Sequence, residues 1–304
     1  MGRTGGRAAW VAAGLALVLA VGLTLAWVAE RPGAEASVPR PPVPAIPAAT
    51  AIATPAPTPS ATPTPPGFPA NTAVYDLEAL PSADVFAVNG SMLVDDAPYA
   101  PFAGETATPL VDAIPVFADP LGDPVARLHR EFVYGGTTVP VVQRQDSWVK
   151  VLLPGRQSVP SQGNPGQVAG WLRAQDVALA PLDTVVEVSI SARTVDVWRG
   201  GSPERIAGDF AWGRASTPTP LGRSFVMLVR SDPSLWYTRG HPIVYLSVQS
   251  PTLDGFGGSS VAVTAFHYHD DRSGQISNGC LRLDPAAIER LAQLPVGTPV
   301  FIRA

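Results

Sequence analysis

Three patterns of hydrophobic and polar positions divide the chain. Residues 8–29 form a run of 22 positions without a charge, preceded by Arg3 and Arg7 and closed by Glu30 and Arg31. About 20 apolar residues cross a bilayer as a helix, and a cleaved signal core has only ~7–15. The run therefore predicts an uncleaved transmembrane anchor, with cleavage after residues 34–36 as the alternative. Residues 1–31 are thus a short N-terminus and the span: basic residues before the span keep that N-terminus in the cytoplasm and send the chain after the span outward. Residues 32–70 have no apolar periodicity and consist mostly of Pro, Ala and Thr, with 13 of the 34 prolines between Pro32 and Pro69. Such a tract cannot repay the entropy of ordering and tends to extended polyproline conformation. Its span of roughly 120 Å at full extension reads as a disordered stalk.

Periodicity of two appears after the stalk. In residues 71–110, a lead-in, apolar stretches at 85–88 and 92–94 flank Asn89-Gly90, a pair suited to a hairpin turn. Residues 111–182 predict short strands over 114–117, 125–128, 138–143, 148–153 and 170–172, spaced as in a small β-barrel. In residues 183–304, Val186, Val188 and Ile190 alternate with Glu187 and Ser189, and 194–198 repeats the pattern before Gly200-Gly201. Further strands are predicted over 206–212, 225–229, 243–248, 260–267 and 299–302. One helix is expected, with Asp284 as N-cap, Pro285 in its first position, Ile288, Leu291 and Leu294 on one face, and Pro295 as its stop.

Charge and cysteine content narrow the function. The net charge of −4 gives no basic footprint, so nucleic acid is not expected as a partner. A single cysteine forms no intrachain disulfide and no cysteine-rich metal centre. That cysteine, Cys280, lies in Ser277-Asn278-Gly279-Cys280-Leu281-Arg282. A lone cysteine is more often a small buried apolar residue, but this one follows a polar, glycine-containing turn. Gly279 lets the backbone approach a substrate, and successive N–H groups here could hold an oxyanion. Arg282 supplies charge that favours thiolate. A thiol nucleophile needs a base, and His267 and His269 end a predicted strand 13 and 11 residues earlier, on one face of it. His129 and His241 read as ordinary surface or packing residues. Trp236, Tyr237 and Phe256 lie on predicted loops with two roles open to them, packing, which is favoured, and lining a substrate groove.

These motifs resemble known families. Asp146-Ser147-Trp148-Val149-Lys150-Val151 followed by Gly170-Trp171-Leu172 resembles bacterial SH3-like domains, which accompany cell-wall enzymes. A histidine, then Ser277-Asn278-Gly279-Cys280-Leu281-Arg282, a short helix and Gly297-Thr298-Pro299-Val300 resemble the L,D-transpeptidase (YkuD) catalytic domain. Trp212-Gly213 and Thr217-Pro218-Thr219-Pro220-Leu221-Gly222 resemble an upstream segment of the same family. Many members have His where Asn278 stands. The resemblance implies a mainly β fold: an L,D-transpeptidase-type β-sandwich with one packed helix over 183–304, preceded by a small SH3-like β-barrel over 111–182.

The resemblance further implies Cys280 as nucleophile, His267 as base, and Ser277, Asn278, Gly279 and Arg282 as the oxyanion and substrate shell. His269 stays as the alternative base; His267 is favoured because it ends the apolar stretch 261–266. The implied partners are peptidoglycan stem peptides, a tetrapeptide donor and a diamino-acid side-chain acceptor, met outside the membrane at the cell wall, and the implied chemistry needs no metal and no cofactor. Rival readings are an L,D-carboxypeptidase, a sortase-like surface transpeptidase and an inactive wall-binding scaffold. A zinc reading of His267-x-His269-x-Asp271 lacks further histidines, and a papain-like order would place cysteine before histidine.

Overall fold

The computed structural model describes residues 67–132 and 135–304. The expected anchor over 8–29 and the stalk as far as residue 66 lie outside the described residues. Among the described residues, no helix is long and apolar enough to cross a membrane. The last residues of the proline tract are packed. Trp148 Nε1–H donates to the Pro69 carbonyl at 2.8 Å, and Phe68 meets Trp171 edge-on at 5.6 Å.

The first sheet contains β1 (Leu93–Val94), β2 (Glu105–Pro109), β3 (Ala113–Phe117), β4 (Pro124–His129), β7 (Val139–Arg144), β8 (Trp148–Arg156), β9 (Gln167–Arg173) and β10 (Val177–Pro181). Their order is β10-β2-β7-β8-β9-β3-β4, with β1 added to β9. A separate two-residue ribbon joins β5 (Glu131–Phe132) to β6 (Gly135–Gly136). Every strand predicted over 111–182 is present. The lead-in, however, supplies β1 and β2 to this sheet, and the expected hairpin at Asn89-Gly90 does not form. The turn is there, closed by the Met92 N–H on the Asn89 carbonyl at 3.0 Å. Its two arms pair elsewhere: Val88 bridges Arg156, and Leu93 and Val94 lie opposite Ala169 and Val168.

Ten strands form the second sheet: β11 (Thr184–Ser189), β12 (Thr194–Arg199), β13 (Ser202–Ala207), β14 (Ala211–Gly213), β15 (Gly222–Arg230), β16 (Ile243–Gln249), β17 (Val263–Tyr268), β18 (Gly274–Ser277), β19 (Leu281–Leu283) and β20 (Pro299–Arg303). They run β13-β12-β11-β20-β15-β16-β17-β19-β14-β18. Alternation in β11 is as expected, with Val186 and Val188 buried and Glu187 and Ser189 less so. Gly200 and Gly201 both have positive φ, 54° and 81°, the geometry of a primed hairpin turn. The single strand expected over 206–212 is two strands. Asp209 breaks it, accepting the Phe210 N–H and the Ser273 hydroxyl, and the chain turns there from the β13 edge into the far end of the sheet.

Among the described residues one α-helix forms, α1 (Pro285–Ala292), starting as predicted and ending before Leu294. The Asp284 carboxylate accepts the Ala287 N–H at 3.0 Å, and Ala287, Ile288 and Leu291 are buried, with the helix packed on β13, β16 and β17. Asp284→Ala is expected to cost about 1 kcal/mol, read as a lower urea midpoint at unchanged slope. The fold is mainly β with one helix. The two sheets also share structure. Phe225 of β15 is buried in the core of the first sheet, and Arg223 of β15 makes a buried bidentate pair with Asp95 at 2.8 and 2.7 Å.

Candidate active site

The ordering of the second sheet explains how Cys280 is presented. β18 and β19 flank β14, so the three residues that join them, Asn278, Gly279 and Cys280, must cross the end of β14 at Gly213. Ser277 ties this turn from inside. Its buried hydroxyl donates to the Cys280 carbonyl at 2.6 Å and accepts the Gly279 N–H at 3.1 Å. Gly279 has φ +116°, a conformation that a side chain would strain. From outside, the segment after β14 clamps the turn. The Ser277 carbonyl accepts the Arg214 N–H at 3.0 Å and the Thr217 hydroxyl at 3.2 Å. The Thr219 hydroxyl accepts the Gly213 N–H at 2.9 Å and donates to the Gly279 carbonyl at 2.8 Å. Asn278 Oδ1 accepts from Arg214 Nη2 at 2.7 Å.

Cys280 is half-buried, and its sulfur lies against β17, 3.9 Å from the Val263 carbonyl. Parallel register sets Phe266 opposite Leu281 and His267 opposite Arg282. Cys280, His267, His269, Arg282, Ser277 and Asn278 therefore line one cavity of about 200 Å³, with Tyr237, Leu253 and Phe256 among the remaining wall.

The two histidines differ in protonation pattern. His267 Nδ1 lies 2.7 Å from the Tyr268 carbonyl, which can only accept, so Nδ1 carries the proton and Nε2 is the basic nitrogen. His269 Nδ1 accepts the Asp271 N–H at 2.9 Å, so in the neutral ring Nε2 carries the proton. Burial lowers His267 to about 4, partly opposed by its bond to Tyr268, while Arg282 and His269 lower it further. Burial also pushes the Cys280 thiol up, against the Ala265 N–H and Arg282, which favour thiolate. Both shifts favour a neutral thiol beside a neutral imidazole. Arg282 acts in the direction expected of it, favouring thiolate, and desolvation of the thiol acts more strongly the other way.

Residues 183–302 match the YkuD family, the L,D-transpeptidase catalytic domain. No curated protein matches the chain. Solved structures with partial likeness include the catalytic domain of an Enterococcus faecium L,D-transpeptidase, 22% identical, covering 40% of this chain and 96% of that one at a TM-score of 0.27. An L,D-transpeptidase from Mycobacterium tuberculosis is 16% identical over 52% of this chain and 91% of its own, at 0.30. One from Stackebrandtia nassauensis is 18% identical over 41% and 57%, at 0.31.

Within the matched residues 183–302, the candidate residues Cys280, His267, His269, Ser277, Asn278 and Arg282 meet at the cavity. Gly279 lies in the turn itself, and its N–H is already taken by Ser277, so it is not a donor for an oxyanion. Tyr237 and Phe256 line the cavity in addition to packing, and Tyr237 stands edge-on to His267 at 5.3 Å. Trp236 is exposed and outside the wall. His129 pairs with Ser82 and His241 with Glu289, away from the cavity. Sequence reasoning picked out Thr217 and Thr219 only as part of a resembling segment and missed their role, and that of Arg214, in tying the turn before Cys280.

Proposed function

We propose that this protein is a peptidoglycan L,D-transpeptidase that works through a Cys280 thioester. The observation that carries the reading is the pairing, in one cavity, of the Cys280 thiol with a histidine whose Nδ1–H is held by a carbonyl, leaving Nε2 as base. His267 Nε2 takes the thiol proton as the sulfur attacks the carbonyl of the third residue, a diamino acid, of a stem tetrapeptide. The peptide bond to the terminal D-Ala breaks, and His267 returns the proton to the departing amine. The side-chain amine of a second stem then attacks the thioester, and the sulfur leaves with a proton relayed by His267. Water as acceptor would give a carboxypeptidase. Arg282 and the Cys280 N–H are the groups proposed to face the developing oxyanion, and Ser277 and Thr219 hold the turn rigid for it.

The topology supports the same reading. The charge-free run 8–29 and the proline tract after it fit an anchor and a stalk carrying residues 67–304 to the wall. The region 111–182, with its SH3-like pattern, fits a wall-facing support. The test is incubation of the parent and Cys280→Ala with purified muropeptides, followed by mass spectrometry. Cross-linked dimers and released D-Ala are expected from the parent, with a loss of at least about 10³-fold in the variant. Product formation by Cys280→Ala at the parent's rate would sink the proposal. Tripeptide without dimer would select the carboxypeptidase reading.

A further inference from the structure

Arg156 ends β8 in the first sheet and is buried, at 1% exposure, yet among the described residues its guanidinium hydrogen-bonds main-chain carbonyls and not a carboxylate. It donates instead to three main-chain carbonyls of one loop of the catalytic domain: Leu253 at 3.4 Å, Ser260 at 2.9 Å, and Asp254. That loop, residues 250–262 between β16 and β17, contributes Leu253, Phe256 and Ala262 to the wall of the Cys280 cavity. It contains no strand or helix: the Ser250 N–H closes its base on the Ala262 carbonyl at 2.8 Å, the Phe256–Ser259 bridge closes its tip, and the carbonyls at 253, 254 and 260 are held from outside by Arg156. Two further ties come from the same side. The Asp254 carboxylate accepts the Ser161 N–H at 3.0 Å and its hydroxyl at 2.6 Å, and Gln249, at the loop's base, donates to the Val85 carbonyl at 2.8 Å.

Burying a guanidinium is costly, and burial lowers the pKa of Arg156 against the pull of Asp254. A planar fork is nevertheless the one side chain that fixes several carbonyls at once, and a lysine point charge does not reproduce it. We propose that Arg156 is a positioning residue: it holds the 250–262 loop as a wall of the Cys280 cavity, so that the preceding β region sets substrate binding. This rests on reading that cavity as the substrate site.

The test compares Arg156→Lys and Asp254→Ala with the parent in the full chain. It measures kcat and KM on a purified stem tetrapeptide, the rate of Cys280 alkylation by iodoacetamide, and hydrogen exchange. Arg156→Lys is expected to raise KM about tenfold while kcat and alkylation stay within about twofold. Exchange in 250–262 should accelerate, with protection in β17 and β19 retained. Asp254→Ala, an exposed tie, should show the same pattern with about a threefold rise in KM. Unchanged KM, or unchanged loop exchange, in folded Arg156→Lys overturns the proposal. If that variant does not fold, the same result in Asp254→Ala overturns it. A parent that turns over no stem peptide defeats the functional reading, while the exchange comparison still decides whether Arg156 anchors the loop.

Discussion

His267→Gln is expected to lower kcat/KM for stem-peptide acyl transfer by about 10³-fold, and His269→Gln by less than about tenfold. The difference follows from ring tautomers. Gln at 267 can still bond the Tyr268 carbonyl but offers no base. His269 already directs its accepting nitrogen to the Asp271 N–H and can face the cavity only as a donor. The pH profile separates this neutral pair from a resting thiolate–imidazolium pair. With His267 near 4, the base stays unprotonated through the weakly acidic range, so the acid limb of kcat/KM should lie near pH 4 and not near 6.5. Because the thiol is pushed up, alkylation by iodoacetamide should keep climbing into alkaline solution instead of levelling near neutrality.

Stability carries the same signature. The unfolded chain protonates its histidine below about 6.5, whereas folded His267 resists protonation down to about 4. His267 therefore contributes stability fully above about 6.5, and that contribution is lost as pH falls toward 4, by about 3 kcal/mol in all. In His267→Gln this part of the decline should vanish from urea titrations taken between these two values. A parent acid limb near 6.5, or an equal effect of the two substitutions on kcat/KM, would remove His267 from the role of base.

The contrast between what the sequence discloses and what it conceals follows the range of the interactions. Strand β11 and helix α1 are legible because their determinants are local: alternation at 186–189, and a cap, a proline and three apolar residues within the eleven positions 284–294. Cys280 is legible as a nucleophile candidate from its immediate neighbours. Strands β18 and β19 are not legible, because Gly-Gln-Ile-Ser and Leu-Arg-Leu are too short to show a period, and both are fixed by parallel partners at 211–213 and 266–268. The choice between His267 and His269 depends on which main-chain group each Nδ1 meets, which no spacing encodes. Arg156 reads as an ordinary polar residue at a strand end, since its acceptors lie about a hundred positions further along the chain.

Gly213→Ala is expected to be strongly damaging although it adds a single methyl group. A Cβ built there would lie 2.3 Å from the Thr217 carbonyl oxygen and 2.4 Å from the Thr219 nitrogen. Those are backbone atoms, so no rotamer change relieves the contact. The segment 217–219 must move, and its two threonine hydroxyls are what hold the Ser277 and Gly279 carbonyls. Strain and lost hydrogen bonds together should cost about 3 kcal/mol or more, seen as a fall in the urea midpoint. Thr219→Val isolates the second part, since it keeps the volume but leaves the Gly213 N–H and the Gly279 carbonyl without their buried partner, at a cost of about 2 kcal/mol. Gly208→Ala is the matched control. Its added methyl meets nothing within 4 Å, so it should be neutral or slightly stabilising. Activity should fall in Gly213→Ala even under conditions where the protein remains folded, because a displaced 217–219 segment releases the turn that aims Cys280. A Gly213→Ala protein with the parent's midpoint and turnover would show that the turn is held by other means.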